Sequence, residues 1–164
     1  MRILIAVILL MLCSACGFHL RGTVQGVAGV SVYNQTPKDQ LELENLLNDG
    51  IQQASMTLAP DLASAAMVLN VTDVRVTRRV QTVTSFGRAQ DYELILSVNY
   101  QIGSPKDFAA QKSLSVDARR EYNYANTDVL GNAEEEALLI REMQREVVAR
   151  LLRQVTFNAT QRQL

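Results

Sequence analysis

The sequence of 164 residues has no tryptophan, one histidine, two cysteines and aromatic residues at only 5%. A zinc site that needs several histidines or a cysteine cluster is therefore excluded. So few aromatic side chains argue against a platform that stacks on sugars or bases. The 16 basic and 17 acidic residues give a net charge of −1, whereas nucleic-acid-binding proteins usually carry a strong basic excess. What remains is a chain of the length of one ordinary domain.

The largest apolar block lies at the N-terminus. After one basic residue, positions 3–12 are all apolar. This run is shorter than the roughly 20 residues that span a bilayer, and it is typical of a secretory signal peptide. Ser14 and Ala15 then precede Cys16, an order that resembles the processing site of bacterial lipoproteins, although Cys13 stands where such sites usually have leucine. The alternative is a plain signal peptide followed by an incidental cysteine.

Cleavage before Cys16 would leave a chain whose single cysteine carries lipid. Residues 1–15 contain one arginine and no acidic residue, so their removal changes the net charge to −2. No intramolecular disulfide can then form, although the destination is oxidising. Each buried methylene of an acyl chain contributes about 0.8 kcal/mol, so several chains on Cys16 anchor the protein durably. Gly17 follows, where inner-membrane lipoproteins of Gram-negative bacteria tend to have aspartate, which indicates sorting to the outer membrane.

Residues 16–21 read CGFHLR, and this opening resembles the lipopolysaccharide-assembly lipoprotein family LptE, also called RlpB. Residues 91–94, DYEL, are a second similarity, since they lead into an alternating strand. The resemblance implies an outer-membrane lipoprotein that faces the periplasm and forms a complex with the LptD β-barrel. It also implies that the protein plugs this barrel, helps to assemble it, and binds lipopolysaccharide for delivery to the cell surface.

The residues themselves provide little support for catalysis. His19 lies three positions from the anchor, and no nucleophile–base pair, phosphate loop or dinucleotide fingerprint is visible. We therefore predict that the chain is not an enzyme and needs no cofactor or metal. The alternative function is another periplasm-facing outer-membrane lipoprotein that acts as an envelope sensor or accessory module.

Two segments have the period of amphipathic helices. Thr36 can cap a helix and Pro37 suits its first position, so the first helix is predicted to begin there. The last helix is predicted to begin at residues 134–136, because three glutamates complement the positive end of its dipole. Residues 158–164 are predicted to form a disordered tail. The apolar face of the first helix comprises Leu43, Leu46, Leu47, Ile51 and Ala54.

Strands are predicted at residues 30–33, 66–83, 92–102 and 113–122, where apolar and polar residues alternate. In the second strand the apolar phase changes near Thr72, which predicts a bulge or strong twist, with the later valines Val74, Val76 and Val80 on the opposite face. The order β-α-β-β-β-α predicts an α+β fold with a four-stranded mixed sheet and two helices on one face. The chain then divides into a signal peptide (1–15), a lipid-anchored tether (16–29), one domain (30–157) and the tail.

Most basic residues of this chain are arginines, which outnumber lysines 13 to 3. The planar guanidinium binds phosphate through two hydrogen bonds, and lipid A carries both phosphates and acyl chains. Arg88 is the best single candidate, because it follows Phe86 in a predicted turn. The alternative is that these arginines are solvated or pair with Glu93 and Asp117. The candidate lipopolysaccharide-binding residues, which can share a face or an end of the sheet, are Arg88, Arg78, Arg79, Arg119 and Arg120.

Overall fold

A computed structural model describes residues 28–124 and 129–161. The expected lipid-attachment residue Cys16 and sorting residue Gly17 lie outside the described residues, as does the end of the predicted tail. The structure is α+β, as predicted. Its elements are β1 (Ser31–Gln35), α1 (Leu41–Gln53), β2 (Thr57–Leu58), β3 (Met67–Val83), β4 (Ala89–Gly103), a 3-10 turn (Phe108–Ala110), β5 (Leu114–Asn123) and α2 (Val129–Gln161).

The sheet is mixed, with the strand order β2-β1-β3-β4-β5. Strand β1 runs parallel to β2 and β3, whereas β3, β4 and β5 are antiparallel neighbours. The helix α1 provides the crossover that a parallel pair requires, as the order of elements predicts. The sheet has five strands and not the predicted four, because β2 is two residues long and too short to show alternation.

A β-bulge lies in β3 at the predicted position. Val71 pairs with Tyr100 and Asp73 with Asn99, so Thr72 is the extra residue. The prediction that the later valines lie on the opposite face is wrong. Val74 is directly opposite Val98, and directly opposite residues share a face, so the bulge returns these valines to the side of Val71.

Helix α1 begins later than predicted. It starts at Leu41, and the Thr36 Oγ1 donates to Asn34 Oδ1 (2.9 Å) instead of capping a helix. The Gln40 N–H donates to the Pro37 carbonyl (2.9 Å), so these residues form a turn that leads into the helix. The predicted apolar face is confirmed, because four of its members are buried and the fifth packs beside them: Leu43, Leu47, Ile51, Ala54 and Leu46.

Helix α2 extends past both predicted ends. It begins at Val129, before the three glutamates, and the buried Asn132 lies in the added turn. It also continues through residues 158–161, where the sequence predicts a disordered tail, because Ala159 is buried in the core.

Both helices pack on one side of the sheet, which we call the helix face; the other side is the open face. Side chains from α1, α2 and strands β1, β3, β4 and β5 form one apolar core on the helix face. Gly50 lets the two helices approach closely, since a Cβ there would lie 2.5 Å from Leu152 Cδ1. At one end of the open face, Gln111 lies against Gly103. The remaining central part of the open face is mostly polar, with the half-buried Ile95 among its polar side chains.

Candidate functional site

The β3–β4 hairpin ends in a tight turn that holds Phe86 and Arg88 at the surface. The Thr84 N–H donates to the Arg88 carbonyl (2.7 Å), and the Gly87 N–H donates to the Thr84 carbonyl (2.9 Å). Gly87 has a φ of +73°, a conformation that glycine adopts without a steric penalty. Phe86 is 90% exposed, and no described carboxylate forms an ion pair with the exposed Arg88 guanidinium. The turn therefore presents an apolar ring and a cation side by side.

The end of this hairpin extends beyond the third antiparallel strand. Strand β5 pairs with β4 from Asp91 to Tyr100, so the earlier residues of β4 pair with β3 alone. We call residues 80–90 the hairpin tip. Val80 and Val83 within it are 46% and 59% exposed. The hairpin tip thus adds exposed apolar area to that of the aromatic ring.

Arg78 and Arg120 lie on the helix face, where α2 supplies acidic partners. Arg78 Nη1 lies 3.3 Å from Glu136 Oε2, and its Cζ lies 4.9 Å from the ring centre of Tyr92. Arg120 Nη2 lies 2.8 Å from Glu146 Oε2. Both guanidiniums therefore connect the sheet to the helix.

Tyrosine rings surround the Arg78–Glu136 ion pair. Tyr92 stacks on Tyr122 with 5.8 Å between ring centres, and the Tyr122 hydroxyl donates to Glu136 Oε2 (2.8 Å). The Tyr122 hydrogen bond, followed by the charge of Glu136, raises the pKa of the Arg78 guanidinium. Burial, followed by the hydrogen bond to Glu136, raises the pKa of the Tyr122 phenol. The cluster therefore keeps the phenol neutral and the guanidinium charged.

Arg79 and Arg119 lie on the open face on either side of Glu93. Glu93 is buried, and it accepts a hydrogen bond from Arg79 and lies 3.8 Å from Arg119 Nη1. The two arginine side chains remain 64% and 59% exposed. One buried carboxylate is therefore shared by two guanidiniums, which leaves their outer edges available to a further anion. These contacts are the ion pairs with Glu93 that form the sequence-based alternative to ligand binding.

The five candidate arginines do not form one strip. Strands β3 and β5 both flank β4, as expected, but consecutive residues in a strand point to opposite faces. The neighbours Arg78 and Arg79 are separated in this way, and so are Arg119 and Arg120. The structure places Arg88 at the hairpin tip, Arg79 and Arg119 on the open face, and Arg78 and Arg120 on the helix face.

A shallow depression of about 380 Å³, lined mostly by polar residues, lies beside the base of the hairpin tip. Its carboxylates are already occupied, since Asn123 donates to Asp91 (2.8 Å) and Gln81 donates to Glu121 (2.7 Å). Within residues 28–124 and 129–161, no group of three potential ligands could hold a metal ion. No helix in the same ranges is long and apolar enough to cross a membrane.

The sequence interpretation misses the exposed valines of the hairpin tip. It assigns Val80 to a buried-type strand pattern, whereas the residue is nearly half exposed, although its partner Tyr92 still pairs with Tyr122 of β5. The sequence does contain a signal for this exposure. The second predicted strand, at residues 66–83, is much longer than the third, at residues 92–102, so its end extends past the residues that the third strand can pair with.

The structure is a small α+β domain whose hairpin tip exposes an aromatic ring, two valines and a cation. The LptE family model, described as lipopolysaccharide-assembly, matches residues 24–155, and the chain belongs to this family. The family identifies it as a lipopolysaccharide-assembly lipoprotein of the outer membrane rather than an enzyme, which confirms these predictions.

Individual relatives agree with this assignment. The chain is 27% identical over 143 residues to the LPS-assembly lipoprotein LptE of Photorhabdus laumondii, which covers 87% of this chain and 78% of the relative. The fold is similar to that of rare lipoprotein B from Shewanella oneidensis, with a TM-score of 0.72, 18% identity, and coverage of 82% and 99% of the two chains. It is also similar to that of lipoprotein B from Nitrosomonas europaea, with a TM-score of 0.70, 22% identity, and coverage of 85% and 90%.

Proposed function

We propose that this lipoprotein binds lipopolysaccharide at the hairpin tip while it forms a complex with the LptD β-barrel. The observation that carries the proposal is that the exposed Phe86 lies two residues from Arg88, with which no carboxylate of residues 28–124 and 129–161 forms an ion pair. Lipopolysaccharide offers phosphates to the guanidinium and acyl chains to the ring and valines. The tight turn fixes the backbone positions from which both side chains extend, which lowers the entropic cost of contact.

The other candidate arginines rank behind Arg88. Arg79 and Arg119 keep exposed edges on the open face and are the second choice for phosphate contacts. Arg78 and Arg120 are occupied by α2, and they would have to leave Glu136 and Glu146 before they bind a ligand.

The N-terminal division of the chain belongs to the same proposal. Residues 1–15 act as a signal peptide, Cys16 carries the acyl chains, Gly17 permits sorting to the outer membrane, and residues up to 29 form a tether. The folded domain from residue 30 then faces the periplasm and enters the barrel lumen, where it acts as a plug and helps the barrel to assemble. A polar open face suits this location, because the interior of an outer-membrane barrel is polar.

Co-purification tests the complex. Outer membranes solubilised in mild detergent should yield the acylated protein in a stable complex with a large barrel protein. A protein that elutes alone from membranes in which the barrel is present and folded would overturn the plug, and would favour the alternative of a sensor or accessory lipoprotein.

The Arg88→Glu variant tests the ligand site. Reversal of one charge-assisted contact should weaken lipopolysaccharide capture in a pull-down by about tenfold, equivalent to about 1.4 kcal/mol. Arg153→Glu is the matched control, because Arg153 is exposed on α2 far along the chain from the hairpin. Circular dichroism of both variants should match the wild type. Unchanged capture by folded Arg88→Glu protein would remove Arg88 from the site.

A further inference from the structure

Within residues 28–124 and 129–161, strand β5 forms a long edge of the sheet with no neighbouring strand on its outer side. It is 10 residues long and pairs with β4 on one side, whereas the strand at the opposite edge, β2, has two residues. An edge strand of this length carries a row of unpaired N–H and C=O groups, which can add a strand from another chain. The exposed edge of β5 must therefore be protected against pairing with a strand of another chain.

Two backbone carbonyls of β5 accept hydrogen bonds from arginine side chains. Arg150 Nη1 donates to the Asp117 carbonyl (2.7 Å), and Arg120 Nη1 donates to the Arg119 carbonyl (2.8 Å). These carbonyls belong to alternate residues, which in an antiparallel ladder point to the same side of the strand. Both are therefore part of the outward row that an added strand would use.

Glu146 contacts both arginines, and Arg120 Nε also lies 4.0 Å from Glu142 Oε2. Glu146 accepts from Arg120 Nη2 (2.8 Å) through one oxygen and from Arg150 through the other. Arg150 and Glu146 are one turn apart on α2, while Arg120 reaches from the strand. We call Arg120, Glu146 and Arg150 the edge guard. It is fixed at both ends, on the helix and on the sheet, so the guanidiniums are held at the strand.

We propose that the edge guard closes β5 to antiparallel strand addition by a second copy of this chain. Two β5 strands paired about Ala118 would place Asp117 of each copy opposite Arg119 of the other. This pairing of opposite charges makes the unguarded edge self-complementary. The guard blocks it because the carbonyls of the same two residues are already occupied and the guanidiniums fill the space beside them.

The test removes the guard from the full-length acylated protein in detergent. Arg120→Met with Arg150→Met keeps the side-chain length but removes both donors. We expect the protein mass per particle, measured by light scattering after size exclusion, to at least double relative to the wild type. Arg141→Met with Arg153→Met, two exposed arginines of the same helix, is the matched control and should leave the mass unchanged.

A proline identifies the edge that is used. The Asp117 N–H points outward with its carbonyl, so Asp117→Pro blocks an added strand without removing a hydrogen bond to β4. Introduced into the double variant, it should restore the original particle mass. The proposal is overturned if the folded double variant keeps the wild-type mass, or if its association survives the proline. If circular dichroism shows that the double variant is unfolded, Arg150→Met alone gives the deciding mass under the same two criteria.

Discussion

Tyr122 lies where β4, β5 and α2 meet. Its ring stacks on Tyr92 and its hydroxyl donates to Glu136, the carboxylate that also pairs with Arg78. The cluster links the base of the hairpin to the long helix through one carboxylate. Because burial, and then the glutamate, raises the pKa of Tyr122, the folded state favours the neutral phenol.

The Tyr122→Phe variant should change both the level and the pH dependence of stability. Loss of the hydrogen bond should lower the free energy of unfolding at neutral pH by about 1 kcal/mol. In the wild type, the favourable effect of the raised pKa is complete below about pH 10, the usual pKa of tyrosine, and is lost as the pH rises through the folded value. Urea unfolding between neutral and alkaline pH should therefore show a shallower alkaline decline in the variant.

The control for this prediction is Tyr100→Phe. Burial also raises the pKa of Tyr100, so its replacement should reduce the alkaline decline as well, while the contact with Glu136 stays intact. An alkaline decline in Tyr122→Phe that equals the wild-type decline would contradict the assigned role of the phenol.

At the residue scale, the sequence predicts which side chains are exposed better than it predicts which residues those side chains contact. The exposure of Arg88 and Phe86 follows from the turn residues around Gly87, because turn chemistry is local. The contacts of Glu93 with Arg79 and Arg119 can also be predicted from the sequence, because all three residues lie on adjacent predicted strands. By contrast, Glu136 and Glu146 are distant in sequence from Arg78 and Arg120. Their contacts depend on how α2 crosses the sheet, which no local pattern specifies.

At the element scale, the β3 bulge at Thr72 determines which side chains face the helices. The extra residue keeps Val74 on the side of Val71, and it keeps Asp73, Arg75 and Arg79 on the open face. The sequence pattern reveals the change of phase, but it does not show whether the strand turns over or the bulge corrects it. Pairing with β4 decides this, and pairing is a tertiary property.

Deletion of Thr72 should therefore be severe. Without the extra residue, the later part of β3 must slip or turn over, which directs charged residues toward α2 and valines toward the open face. We expect the free energy of unfolding to fall by roughly 2 kcal/mol or more, because a slip of one residue would bring Asp73 or Arg75 to the half-buried place of Val74 and the pairing of β3 with β4 would lose its register. Thr72→Ala is the control, since it loses a single exposed hydrogen bond from Oγ1 to the Asn99 carbonyl (3.1 Å). Equal urea midpoints for the two variants would contradict this account of the bulge.

The ends of the helices show the same limit of local patterns. The capping residues Thr36 and Pro37 indicate a helix start, yet the chain uses them in a turn before Leu41. At the other end of the chain, the polar residues 158–161 read as a tail, but the buried Ala159 keeps them helical. At the start of α1, local hydrogen bonds compete with the cap, whereas at the end of α2 packing against the core outweighs the propensity of the segment.

At the scale of the whole molecule, the net charge says little, because the charged residues are divided among surfaces of different character. A net charge of −1 hides an open face with a shared Arg79–Glu93–Arg119 cluster, a helix face linked by ion pairs, and a cationic hairpin tip. The fold class and the order of elements follow from hydrophobic periodicity, because that periodicity reflects which side of each element is buried. The division of the arginines among three surfaces requires the sheet register.

The Cys16→Ala variant tests the anchor on which the proposed location of the whole molecule depends. Without the thiol, acylation and the cleavage that accompanies it cannot occur, so mass spectrometry should find a precursor that retains residues 1–15 and carries no lipid. Without the acyl chains, the mature domain should lose the anchoring that their buried methylenes provide, at about 0.8 kcal/mol each. Cys13→Ala is the matched control, because Cys13 lies in the segment expected to be removed, and its product should have the wild-type mature mass. An acylated product of normal mass from Cys16→Ala would show that another residue carries the lipid. The proposed tether, the sorting role of Gly17 and the position of the domain relative to the barrel would then be wrong as well.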